Sequence, residues 1–428
     1  MKKVIALVLI TSMLGSAALA TAMSGNEEVP RESEKAKEFY AGREVKVVVA
    51  KDGYSLIDVK TGDTILYINY TAIEENLDGK PAITKNQAVK FASELCGPAY
   101  TLVRATENPY DFDILFERQI GGIAVFGETC YVSINKMTGK IAAYRKMPVR
   151  EITSKPEVRI SKDEVIKMTG AVDAKLMLIP EKGCVWITSQ PNSTFINAAT
   201  GKEMGKDEIM ALRELYKTTV DFKGLRKIST EKDETVEVRG IDNDQGAVFR
   251  DDAWFTDDDI QAAEAAMEKE RPNNEPAWDP NAYDAGVVWS DGEVNNILTV
   301  HEGVYYSGHG DDNCIYIGGD EKYCTGDVAN GLQTRLFVIT ACYAGNNLAP
   351  TLVNKGVQCV IADDGYLFDF PGWSPCAEWA DEFWDRATGN VDAGSQRTAH
   401  TARIEANNAV WHTFCDLDVE RGNCNIYI

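Results

Sequence analysis

Between residues 235 and 428, short apolar runs alternate with stretches whose apolar residues recur at helical spacing. "TVEVRGI" (235–241), "GVVWS" (286–290), the runs ending at His309 and Cys342, and "GVQCVIA" (356–362) read as strands. Between them, Thr256 and Asp259 spell a capping box ahead of a helix with Ile260, Ala263 and Met267 on one face. "VNNILTVHE" reads as a short helix. In "CAEWADEFWDRATG", Cys376, Trp379, Ala380, Phe383, Trp384 and Ala387 fall at i, i+3, i+4, i+7, i+8 and i+11, the stripe of a helix packed on a sheet. Alternating strands and helices predict an α/β domain with a mostly parallel sheet covered on both faces.

The amino-terminal half repeats itself. "ITKNQAVK" (83–90) returns as "ISKDEVIK" (160–167), each with a Ser or Thr ahead of a helical run and each followed by strand-like segments joined at a Thr-Gly turn. The turns read "INKMTGKI" around Gly139 and "INAATGKE" around Gly201, with an earlier copy, "IDVKTGDT", around Gly62. Glycine suits such turns because it accepts positive φ without steric cost. The unit is a helix followed by a β-hairpin, and it resembles the PepSY-like modules of bacterial and archaeal propeptides and secreted proteins. The organisation expected is a signal peptide (1–22), a first PepSY-like α+β region (23–150), a second (151–215), a polar linker (216–234) and the α/β domain (235–428).

The export signal is read from "MKKVIALVLITSMLGSAALATAMSG": two lysines, a short apolar stretch, and small residues in an A-x-A pattern near residues 18–22. A secreted or cell-surface location follows as an expectation. No later run approaches the roughly 20 apolar residues of a membrane helix. A formal net charge of -22 disfavours nucleic acid or anionic lipid as a partner, because like charges repel. The chain holds ten cysteines, few for a disulfide scaffold, although export permits some pairing. Cys314 with Cys324, and Cys415 with Cys424, are near enough in sequence to close short loops.

Parallel strands bring their carboxyl ends to one edge, so His309 and Cys342 can meet there across a crevice. A histidine beside a thiol raises its thiolate fraction and later protonates the leaving amine. The N–H groups of Gly310 and Cys342 are the expected donors to a tetrahedral oxyanion. Each piece has a plain alternative, since a cysteine after a strand is commonly a small core residue and a glycine-flanked histidine occurs in ordinary turns. His301, His400 and His412 read as structural or exposed, and four scattered histidines without a C-x-x-C pair give little support for zinc.

These residues resemble the caspase-like cysteine peptidases, the group that includes caspases, metacaspases, legumains, gingipains, clostripain and separase. The resemblance rests on Val304-Tyr305-Tyr306 leading to His309-Gly310, and on Phe337-Val338-Ile339 leading to Ala341-Cys342, with Gly345 closing the turn. It implies a caspase-like α/β/α sandwich, protein or peptide substrates, and a Cys342–His309 dyad. Several relatives place an acidic residue before the nucleophile to select Arg or Lys, whereas this chain has Thr340 and Ala341 there. Asp363 and Asp364, at the end of the next strand, are the alternative source of such a pocket, with a solvated turn as the plain reading. Neither Arg335 nor Arg397 has a spacing that compels aspartate specificity.

No cofactor is required by the sequence. Calcium enters as an expectation because some relatives use it and because "DNDQG" (242–246), "RDDAWFTDDD" (250–259) and "GHGDDN" (308–313) are acidic, although none matches an EF-hand. The repeats and the linker, with Lys223, Arg226, Lys227 and Lys232, suggest an intramolecular inhibitory region removed by cleavage. The competing expectation is an inactive surface-binding or inhibitory protein that uses the peptidase fold as a scaffold.

Overall fold

The computed structural model describes residues 37–152, 156–189, 193–222, 225, 243, 245–253, 255–270, 286–390, 393 and 395–428. The export signal, the strand expected at 235–241 and nearly all of the linker beyond residue 222 lie outside them. The described chain forms a mixed α/β structure in two compact units. One comprises residues up to 152 with 214–220, and the other comprises 156–213 with the rest of the chain from 221.

In the first unit, strands β1 (Glu38–Tyr40), β2 (Arg43–Ala50), β3 (Gly53–Asp58) and β4 (Thr64–Asn69) form an antiparallel meander. Helices α1 (Tyr70–Glu74) and α2 (Lys85–Cys96) follow, then β5 (Tyr100–Glu107), β6 (Asp111–Ile120), β7 (Ile123–Asn135) and β8 (Ile141–Lys146). β8 joins the two halves by pairing with both β4 and β7. Ala88, Ala92 and Cys96 of α2 pack on Phe112, Ile114, Cys130, Val132 and Ile134, and a Cys96–Cys130 disulfide ties helix to sheet. Tyr216, where the linker was expected to begin, is buried and donates its hydroxyl to Phe126 O at 3.0 Å.

The second unit opens with α3 (Lys162–Thr169), the antiparallel strands β9 (Ala174–Ile179), β10 (Gly183–Thr188) and β11 (Phe195–Asn197), and α4 (Lys206–Glu214). The repeat is physical as well as textual. Thr84 and Ser161 each cap their helix in a complete capping box, with Gln87 and Glu164 as reciprocal partners. Asp58, Asn135 and Asn197 each accept, through the side chain, the N–H groups two and three residues on. Each turn then closes with a 2.8 Å bond from the glycine N–H to the first residue's carbonyl, and Gly62, Gly139 and Gly201 have φ of 76°, 72° and 72°. A β-carbon would be strained at these angles.

The remaining strands build a six-stranded sheet in the order β13-β12-β14-β17-β18-β19: β12 (Gly246–Arg250), β13 (Gly286–Val287), β14 (Gly303–Ser307), β17 (Leu336–Thr340), β18 (Cys359–Ala362) and β19 (Val419–Gly422). All pairs are parallel except β18–β19. The hairpin β15 (Cys314–Tyr316) and β16 (Lys322–Cys324) stands apart from it. Helices α6 (Asp291–Val300) and α7 (Leu348–Lys355) bury Ile297, Leu298, Leu348 and Leu352 with Phe249, Tyr306, Phe337 and Val360 of the strands. Helices α5 (Thr256–Glu268) and α8 (Pro375–Thr388) pack on each other, and α8 turns Trp384 edge-on to Tyr305. α9 (Ala399–Ala409) packs behind α8 and is buried along its whole length. The α8 stripe anticipated from spacing is buried throughout.

Two local expectations are corrected. Thr256 and Asp259 form no capping box: α5 begins without a side-chain cap, Thr256 Oγ1 donates to Ala253 O, and Asp259 turns inward to accept from Ser307 Oγ at 2.6 Å. A buried hydroxyl partner has displaced the local one. Cys314 pairs with Cys324 as expected, but Cys424 pairs with Cys359 and not with Cys415. The β18–β19 register sets Cys359 opposite Gly422, which carries Cys424 to Cys359 and leaves Cys415 buried as a free thiol.

Candidate active site

Three neighbouring strand ends meet at one edge of the parallel sheet. Arg250 of β12 and Thr340 of β17 both stand opposite Ser307 of β14, so Asp251, His309 and Cys342 emerge one, two and two residues beyond matched positions. Adjacent strands lie about 4.8 Å apart, and this register alone groups the three side chains.

His309 is held from one side. Its Nδ1 lies 2.7 Å from Asp251 Oδ2, and the same oxygen accepts the His309 backbone N–H at 2.7 Å. Asp251 Oδ1 accepts Ala253 N–H at 2.8 Å, and the carboxylate is buried. Phe255 meets the imidazole edge-on at 5.1 Å, with Tyr316 at 5.9 Å. The outer nitrogen, Nε2, is buried and has no hydrogen-bond partner among the described residues. Gly308 makes room for this arrangement, because a β-carbon there would sit 2.8 Å from Asp251 Cγ. Gly310 presses on the next strand end, since its β-carbon would meet Cys342 O at 2.9 Å. Neither the Gly310 nor the Cys342 N–H donates to a backbone carbonyl in these loops, among the described residues.

Cys342 is buried beneath the chain that follows β18. Its Sγ accepts the Leu367 N–H at 3.4 Å and lies 3.9 Å from Leu367 O. Burial pushes the thiol up to about 12, against a lowering by the Leu367 N–H and with added repulsion from Asp363 and Asp369. Tyr343 has φ of 60°, a left-handed conformation uncommon for a residue with a side chain. Its N–H bonds Gly365 O at 2.9 Å, while Gly345 N–H bonds Asp363 O at 2.8 Å. Residues 363–367 therefore run as a strap along 342–345.

Asp363 is buried in that strap, its Oδ1 accepting Gly365 N–H at 2.7 Å; Asp364 is half-buried. Together with Asp418 they bring one carboxylate oxygen each within 4.8 Å of one another. A second such group joins Asp259, Asp369 and Cys376. The Ser374 hydroxyl contacts Asp259 and lies 2.8 Å from Asp369 Oδ1. Burial raises Asp259 well above the carboxylate range and Asp369 to about 6. The acidic loops expected to attract calcium spend several carboxylates internally: Asp251 on His309, Asp257 on Arg250, Asp311 on the Asn313 and Cys314 N–H groups, and Asp312 on Asn346.

The other histidines and the two arginines sit in internal pairs. His301 Nδ1 contacts Ile297 O, His400 pairs with Glu420 and His412 with Glu378, while Arg335 bonds Glu302 and Arg397 bonds Glu405. Asp251 was read only as part of an acidic loop. The signal that marks it is the apolar run "GAVF" (246–249) just before it, a strand beyond the one expected at 235–241.

An uncharacterized protein of Archaeoglobus fulgidus is 49% identical over 317 residues, covering 69% of this chain and 99% of that protein. A second uncharacterized Archaeoglobus fulgidus protein is 49% identical over 211 residues, covering 45% of this chain and 82% of its own length. No protein-family model matches. Among solved structures, the Bacillus megaterium YpeB C-terminal domain is similar at a TM-score of 0.28 and 16% identity, over 42% of this chain and 86% of that one. The Arg-specific cysteine proteinase gingipain R is similar at a TM-score of 0.34 and 15% identity, over 43% of this chain and 47% of the gingipain chain, about half its length.

Proposed function

This chain belongs to the family of the uncharacterized Archaeoglobus fulgidus protein with which it shares 49% of 317 positions, and we propose that it is an exported, caspase-like cysteine endopeptidase. The observation that carries the reading is the grouping of Asp251, His309 and Cys342 at three adjacent strand ends, with Nδ1 of His309 bound and Nε2 left without a hydrogen-bond partner among the described residues. In the proposed reaction His309 Nε2 takes the Cys342 proton and the thiolate attacks the scissile carbonyl, forming the S–C bond. Collapse of the tetrahedral intermediate breaks the C–N bond as His309 returns the proton to the amine. Water, activated by the same imidazole, then releases the acyl group and regenerates the thiol. Asp251 holds the imidazole in the tautomer that leaves Nε2 as the base. The Gly310 and Cys342 N–H groups are the proposed oxyanion donors, and Asp363 with Asp364 the proposed source of any preference for Arg or Lys.

Cleavage of a mixed peptide library by the wild type, lost in Cys342→Ala, is the test; equal cleavage by Cys342→Ala rejects the reading. One observation favours a second: among the described residues the Cys342 thiol is hydrogen-bonded to Leu367 and not to His309. An inactive binding protein on a peptidase scaffold has no need of an engaged thiol, and it would cleave nothing under any condition.

A further inference from the structure

We propose that the second repeat is a latch, in which Phe195, Lys206 and Arg213 hold residues 363–378 closed over Cys342 so that the thiol sits on Leu367, and that release of these contacts exposes the nucleophile. The proposal rests on the peptidase reading for its consequence in catalysis, but not for the latch itself.

The geometry that demands a latch is the mismatch between nucleophile and base. Adjacent strand ends bring Cys342 and His309 together, yet among the described residues His309 Nε2 has no hydrogen-bond partner while Sγ is engaged by Leu367. The strap that carries Leu367 has an aromatic belly: Phe368, Phe370 and Trp373 close on Phe414 at 5.2 to 5.6 Å. Phe195 of β11 completes this cluster from the repeat, with its ring 4.6 Å from Phe370.

Two more contacts from the repeat bracket the strap. Gly372, at φ of 82°, has no room for a β-carbon because the Lys206 stem fills that place. Arg213 reaches Glu378 Oε1 with Nη2 at 2.6 Å and Nε at 2.8 Å, and Glu378 also holds His412 at 3.1 Å. The repeat thus grips the strap before, within and after the turn at Gly372. A closed state stabilised by several such contacts opens rarely, and each contact removed raises the open fraction.

The full chain, treated with iodoacetamide and mapped cysteine by cysteine by mass spectrometry, tests this. Cys184 in β10 and Cys415 are buried free thiols outside residues 363–378 and report unfolding of the repeat or of the strap's support. In the wild type Cys342 should label slowly. In Phe195→Leu, in Arg213→Ala and most in the double variant, it should label at least about tenfold faster while Cys184 and Cys415 stay protected. Unchanged labelling of Cys342 in folded variants overturns the latch, as does wild-type Cys342 reacting as fast as a cysteine in the urea-unfolded chain. If Phe195→Leu also exposes Cys184, Arg213→Ala and Lys206→Ala decide by the same criterion. Peptide cleavage in the same samples separates the two ideas: faster labelling without cleavage keeps the latch and removes the peptidase reading, whereas wild-type cleavage as fast as in the variants removes the latch alone.

Discussion

Asp251 Oδ2 accepts two hydrogen bonds from one residue, at 2.7 Å from the Nδ1 and at 2.7 Å from the backbone nitrogen of His309. One buried carboxylate oxygen therefore sets both the ring tautomer and the position of the loop that carries the ring. Gly308 is the residue that lets the carboxylate approach.

Asp251→Asn should lower turnover on a cleaved peptide by at least about tenfold with little change in KM, because an amide can present its NH2 to Nδ1 and favour the wrong tautomer. His309→Ala should lose more. Steady-state kinetics on the unlatched protein measure both, and an Asp251→Asn variant with wild-type turnover would remove Asp251 from the mechanism.

Gly345→Ala should destabilise the turn behind Cys342. The added carbon would sit 2.9 Å from Asp363 O and 3.0 Å from Val419 Cβ, and neither a carbonyl in the strap nor a buried strand can give way cheaply. A loss of about 1–3 kcal/mol, the usual cost of overpacking, is expected in urea denaturation. No change in the midpoint would show that the strap is loose.

The Cys359–Cys424 disulfide closes a separation of 65 residues. Loop-closure entropy assigns such a cross-link roughly 4 kcal/mol. Replacing both cysteines by alanine should lower the denaturation midpoint accordingly, more than the same change at Cys314 and Cys324, which are only 10 residues apart.

Stability should fall as pH rises through about 6. Burial raises Asp369 from 3.8 to about 6, so its contribution is complete below about 3.8 and is lost above about 6, when a buried charge must sit beside Asp259 and Ser374. Asp369→Asn, neutral throughout, should flatten this decline in melting temperature between pH 4 and 7. The groups facing the pair are Ser307, Ser374, Tyr305, Cys376, Cys415, Asp258 and His412. An unaltered slope in the variant would assign the decline to another ionisable group.

Much of this molecule is written locally. Thr84 and Ser161 cap their helices, the Thr-Gly turns recur with the same hydrogen bonds, and the α8 stripe faces inward, because each depends on neighbours within a few residues. The placement of His309 and Cys342 at strand ends was legible for the same reason, since apolar runs ending in glycine or a small residue mark where a parallel strand stops. Which strand ends become neighbours was not legible. Asp251 joins His309, 58 positions further along the chain, because β12 pairs with β14, and Cys424 joins Cys359 because β19 lies in register with β18. Asp259 abandons the cap its spacing offers for Ser307 and Ser374, and Leu367 takes the thiol that the histidine was expected to hold. Local hydrogen bonds are chosen by spacing along the chain, whereas these partners are chosen by sheet register and burial, and those exist only once the whole sheet has assembled.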